Sequence, residues 1–154
     1  MLSPAQLVMA YLVAEDLLVV PADSIPANSW PCFISSMPAE PDQCAVIYDT
    51  TPKQDGRLMR TGESIRHPAL QIKLRSLDYP TGWKQALAIL ASLDTLYRFA
   101  VTTDLDINYI VQGVSSAGPL SMGVEAGSHK YEQTKRREAF SINCVTTIVE
   151  APKP

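Results

Sequence analysis

Between Pro68 and Ser76 apolar and polar positions alternate: Leu70, Ile72 and Leu74 fall on one face of an extended chain, and Gln71, Lys73 and Arg75 on the other. The pattern predicts a strand with one face in the core and the other in water or against a partner. An Asp-Tyr-Pro-Thr-Gly corner follows, and the period then changes. Trp83, Ala86, Leu87, Leu90, Leu93, Leu96 and Tyr97 recur at three- and four-residue steps, which predicts a helix capped by Thr81 and packed on a sheet. At the corner, Pro80 disfavours helix at the position before it, and Gly82 supplies the freedom to turn.

The same periodic reading extends to both ends of the chain. Ser3, Pro4 and Gln6 form a helix-start signature, and Leu7, Val8, Tyr11, Leu12 and Leu18 carry a helical stripe beyond it. Five prolines between Pro21 and Pro41 leave room only for a short edge strand around Trp30 to Ser35. Residues 43 to 50, QCAVIYDT, read as a buried strand, and residues 51 to 66, polar and basic, as a long hairpin or mobile loop. Further strands are predicted up to Thr103, from Ile107, and from Arg137 to Val149, where Phe140, Ile142, Cys144, Thr146 and Ile148 alternate. Two main helices with five to six strands, several adjacent in sequence, predict an α+β fold with a largely antiparallel sheet.

A length of 154 residues fits one domain over residues 1–154. Glu15 and Asp16 interrupt the longest apolar run, so neither a membrane span nor a signal peptide is expected. Cys32, Cys44 and Cys144 are odd in number and lack C-x-x-C spacing, which predicts buried thiols in a reducing compartment. Charge changes the picture more. Residues 1 to 50 hold six acids and no Lys or Arg, whereas residues 51 to 75 hold six bases against Asp55 and Glu63. Such a split suits either pairing within the subunit or attraction between copies, head to tail.

Catalytic chemistry finds little support. His67 and His129 lie far apart in sequence without metal-ligand spacing, and no glycine-rich phosphate cradle is present. GVSSA, residues 113 to 117, lacks the second glycine of a nucleophile elbow around Ser115, and Asp104 and Asp106 read as solvated turn acids. No cofactor, metal or catalytic residue is expected. Nine bases in residues 51 to 75 and 135 to 138 could meet phosphates, but the overall pI of about 5.3 and the lack of interleaved aromatics argue against nucleic-acid binding. For the corner, two readings stand: Arg75 pairs with Asp78 while Trp83 closes the core, or the corner meets another protein. Arg57, Arg60 and Arg66 read as partner contacts.

Several motifs stand in a characteristic order. A strand ends in Tyr48-Asp49-Thr50, a Gly56-Arg57 loop follows, and HPALQIKLRS runs through the Asp78-Tyr79 corner into a helix. A late Gly118-Pro119 strand precedes the terminal Phe140-Ser141-Ile142-Asn143 strand. From about residue 44 to residue 148 this order resembles the phage minor capsid and tail terminator family of long-tailed phages. The resemblance implies a small α+β virion protein at the head-proximal end of the tail, present in the host cytoplasm during assembly. Such a protein caps the tail tube, ends its elongation and provides the head-tail joining surface. Implied partners are other copies in a ring, usually a hexamer, the tail tube protein and a head-completion or connector protein. DNA only passes through the lumen. Subunit or partner contacts are expected at Arg57, Arg60, Arg66, Arg75, Asp78 and Tyr79, with residues 1 to 50 and the loop at 51 to 66 on opposite sides of the subunit interface. The alternatives are a connector protein that binds DNA and, further off, a small hydrolase using Ser115 or His67.

Overall fold

The computed structural model describes residues 2–57, 64–102, 107–125 and 137–152. Capping chemistry sets the first helix, α1 (Pro4–Ala14): the Ser3 hydroxyl accepts from the Gln6 amide at 3.3 Å, and the Gln6 side chain accepts from the Ser3 amide at 2.8 Å. The helix stops short of Leu18. Asp16 turns left-handed at φ 57°, and the amides of Asp16 and Leu17 bond back to the carbonyls of Val13 and Leu12. These two bonds satisfy the last helical carbonyls and end the helix. Leu18 is still buried, from the segment beyond.

Strands β1 (Cys32–Ile34), β2 (Cys44–Arg57), β3 (Ser64–Ser76), β4 (Phe99–Thr102), β5 (Ile107–Glu125) and β6 (Arg137–Pro152) form one sheet in the order β1-β2-β3-β6-β5-β4. Only β1 and β2 pair parallel; the remaining neighbours are antiparallel, so the fold is α+β with a mixed, largely antiparallel sheet. Residues 51–57 and 64–66 are paired hairpin arms, Lys53 opposite His67 and Arg57 opposite Ser64, with register shifts between Thr50 and Lys53 and between Gln54 and Arg57. The tip, residues 58–63, lies outside the described residues.

The second helix, α2 (Tyr79–Thr95), begins earlier than its sequence predicts. Asp78, not Thr81, is the N-cap, and its carboxylate accepts from the Thr81 amide at 3.0 Å and the Thr81 hydroxyl at 2.6 Å. Tyr79 and Pro80 therefore lie inside the first turn, where the missing proline amide costs no helical bond. The stripe facing the sheet is Gly82, Ala86, Ile89 and Leu93, whereas Leu87 and Tyr97 are exposed. Leu87 sits about 100° around the helix from Ala86, so both cannot face the sheet.

Both helices cover one face of the sheet. Leu7, Val8 and Leu12 of α1 and Ile89 and Leu93 of α2 pack with Ile47, Leu70, Ile72, Leu74, Phe140 and Ile142 in a single core. Tyr11 ties the helices together: its hydroxyl donates to the Ser92 carbonyl and accepts from the Ser92 hydroxyl, both at 3.0 Å. Gly82 has a packing role rather than the turning role expected from sequence. A Cβ there would collide with the buried Phe140 ring and come within 2.9 Å of the Ser76 Cβ. Gly82→Ala is expected to lower stability by about 1–2 kcal/mol, because the overpacking cost exceeds the gain in helix propensity of about 1 kcal/mol. Urea unfolding measures it; a stabilised variant would show that Phe140 yields.

Candidate assembly surface

The face of the sheet away from the helices is covered at one end by residues 37–42. Strand alternation places Arg75 on that face, where it is 3% exposed. Its guanidinium donates to the carbonyls of Ala39 at 3.2 Å and Pro41 at 2.6 Å. Beside it, Arg137 is 5% exposed and forms ion pairs with Asp42 and Glu40. The Cys44 thiol meets the Met37 sulfur at 3.4 Å under the same strap. Arg75 thus does not pair with Asp78, which lies at the start of α2 on the helical side. It also offers a second subunit almost no surface: of the three expected contact residues whose exposure is described, Arg75, Asp78 and Tyr79, it is the one the fold places inside.

Asp78 and Tyr79 are exposed, as a contact surface requires. Tyr79 is 44% exposed, and its ring stacks on Trp83 at 6.0 Å with planes 10° apart and tilts against Phe140 at 5.2 Å. Leu77 beside it is 54% exposed. Hydrogen bonds from the Thr81 hydroxyl and amide hold the Asp78 carboxyl below its usual 3.8, so it carries its charge through the neutral range.

Arg57 and Arg66 lie on the arms of the β2–β3 hairpin, Arg57 opposite Ser64 and Arg66 opposite both Gln54 and Ile148. Arg60 falls outside the described residues. The strands therefore place the arginines at one end of the sheet and the Asp78–Tyr79 corner at the other. Part of the acidic half is engaged within the subunit: Glu40 and Asp42 face Arg137, and Asp49 accepts from the Ala5 amide at 2.9 Å at the start of α1. Sequence reading offered pairing within the subunit as one of two alternatives but named no partners, because it counted charge by segment and the strap's contacts are set only by the fold.

Ser115 lies within β5, paired with Val145, rather than on a strand-to-helix turn. His67 meets the Thr147 hydroxyl at 3.2 Å, not Ser115. Asp104 and Asp106 fall outside the described residues.

The profile described as bacteriophage tail terminator protein matches residues 11–130, well over half of the chain. The chain belongs to the bacteriophage tail terminator family. No curated protein matches it. The tail terminator match takes in the last turn of α1, the proline-rich segment, the hairpin, the corner and β5. It ends before β6, so the Phe140-Ser141-Ile142-Asn143 motif lies beyond it. Tail terminators are structural components of phage tails, and membership gives this protein a structural, tail-associated role in the virion.

In this tail terminator the strap's hold on Arg75 is a stability feature. Arg75→Ala is expected to cost about 3 kcal/mol, from two lost charge-assisted hydrogen bonds and a vacated buried site. Denaturant unfolding checks this; a loss below about 1 kcal/mol would show that the strap holds without the guanidinium. The buried thiols give a pH prediction. Burial, with smaller contributions from Cys44 and Asp94 respectively, pushes Cys32 and Cys144 up from 9.0 to about 12. The folded state therefore keeps protons that the unfolded chain loses. The stability contributed is present below pH 9.0 and falls as pH rises towards about 12. Urea midpoints between pH 8 and about 11 should decline, and a thiol reagent at pH 8 should label Cys32 and Cys144 only after unfolding, since about one thiol in ten thousand with such a pKa is then ionised.

Proposed function

We propose that the protein caps the phage tail tube as a ring of identical copies, ends tube elongation and presents the surface to which head-completion proteins bind. The family match over residues 11–130 carries this reading. The separation of the basic hairpin from the corner along one sheet supports the ring, since complementary surfaces at two different places on a subunit join copies head to tail and close when the rotation permits. No step of this role needs a reacting group. Its parts are contact surfaces: copy to copy, ring to tube, and ring to connector. A hexamer is the copy number we propose, with the protein at the head-proximal end of the tail and DNA passing through the lumen during ejection.

Tail length in a lysate from which this reading frame is deleted tests the role, measured by negative-stain electron microscopy. Overlong, headless tubes are expected. Tails of normal length with leaking heads would overturn termination and move the protein to head completion, where its basic hairpin would be tested for salt-dependent duplex binding. Reversing charge at both Arg57 and Arg60, Arg57→Glu with Arg60→Glu, is expected to block ring assembly and leave the circular dichroism of the subunit unchanged. Rings of unchanged size would show that the hairpin charges do not join copies.

A further inference from the structure

β5 is covered along only part of its outer side. β4 pairs with it from Asn108 to Val111, and the Arg98 amide reaches the Gln112 carbonyl at 3.5 Å where the chain arrives from α2. From Gly113 to Gly123, no strand among the described residues lies beyond β5. A Cβ at either of these two glycines would meet nothing within 4 Å. Backbone donors and acceptors along such an edge are a template for another strand. Residues 112–123 hold no charged side chain, so the edge lacks the Lys or Glu that turns strands away. Pro119 and register shifts on either side of Leu120 and Ser121 interrupt it, and Gly113–Ala117 is its longest regular run.

One flank of α2 overhangs this edge. Trp83, Leu87, Leu90 and Asp94 follow at steps of four, three and four residues and so share a stripe. The Ser116 hydroxyl donates to Asp94 Oδ1 at 2.6 Å, which fixes the stripe over β5. Trp83 and Leu90 are partly buried against the core, but Leu87 is 44% exposed. On the strand, Leu120 is 59% exposed and Met122 55%. Leu120 pairs with Ser141, and Ser115 and Ala117 pair with Val145 and Asn143, so all three lie on the sheet face away from the helices. The open edge therefore has small residues in its first half and large exposed apolar ones in its second.

A second copy supplies the complement of both halves. An incoming strand has to stop short of β4, so an antiparallel pair of open edges is centred near Gly118, the middle of Gly113–Gly123. Leu120 of each copy then packs over Ser115 and Ala117 of the other, and the two α2 flanks approach with Leu87 near the axis. One isologous contact fills both open edges at once. β1, the strand at the other edge of the sheet, is three residues long and too short to fill this length.

We infer that free subunits pair two-fold through the open β5 edge, Gly113–Gly123, and the α2 flank at Leu87, with one sheet continuous across both copies. The inference goes beyond the ring reading and does not rest on it, because a two-fold contact closes on itself and is not a head-to-tail joint. Sedimentation over a range of concentrations is expected to show monomer and dimer. Leu87→Glu and Leu120→Lys, at exposed positions that leave the circular dichroism unchanged, are each expected to weaken the dimer about tenfold by setting a charge into an apolar contact. Monomer at every concentration overturns the inference, and so does an unchanged dimer in both variants.

Amide exchange reads the strand pairing itself. Gly113–Ala117 amides are expected to exchange more slowly above the dimer midpoint than below it, and equal rates overturn the edge pairing. Thiol linking reads the symmetry, because the three native cysteines are buried. A short bismaleimide is expected to link exposed Ala117→Cys to itself and to leave Val20→Cys, at the opposite edge of the sheet, unlinked. Linkage of Ala117→Cys to Val20→Cys, but not to itself, would establish a head-to-tail contact and overturn the inference.

Discussion

β3 has to satisfy two different layers with one alternating strand, and the arrangement of the rest of the protein follows from that. Leu70, Ile72 and Leu74 are directed to the helices by the two-residue period, which commits Gln71, Lys73 and Arg75 to the opposite face. A register slip of one residue would put Arg75 in the hydrophobic core. The helix side is filled closely enough that Gly82 sits where no side chain larger than hydrogen fits over Phe140. On the other side, a cation in a strand needs its charge met, and the 39–42 segment meets it with backbone carbonyls. One face is thus held by area removed from water, and one end of the other by a few strong directed bonds.

That difference shapes which charges remain outside. The two buried arginines are held by partners from the acidic, proline-rich half of the chain, so opposite charges of the first and later segments already meet within one subunit. Proline suits this strap because its fixed φ limits the freedom lost on ordering, and because it cannot extend the sheet beside β1. The Asp78–Tyr79 corner stays exposed, with one ionised carboxylate and one braced ring, and the sequence gives the hairpin at the opposite end of β3 a basic surplus.

The two residues that a hydrolase reading would use, Ser115 and His67, have places in the sheet. Ser115 is a strand residue in register with Val145, and His67 is engaged with Thr147 across the sheet. The cysteines likewise pack rather than react: two of them are raised to about 12, far from the range in which a thiolate forms readily.

The sequence alone determined the elements whose signals are local. The capping box at Ser3, the alternation from Leu70 to Leu74, the β-branched end of β6 and the short edge strand near Cys32 each depend on neighbours within a few residues, and each is where its pattern puts it. Motif order from Tyr48 to Gly118 carried the family as well, since order survives without any contact being known. Tertiary structure decided what depends on residues far apart in the chain. Arg75 is held by Ala39 and Pro41, thirty-four or more positions away, and Gly82 is required by Phe140, which sequence spacing cannot reveal. The cap passed from Thr81 to Asp78 because the strand ends early enough for the carboxylate to reach the Thr81 amide, and where a strand ends against its neighbours is a property of the sheet.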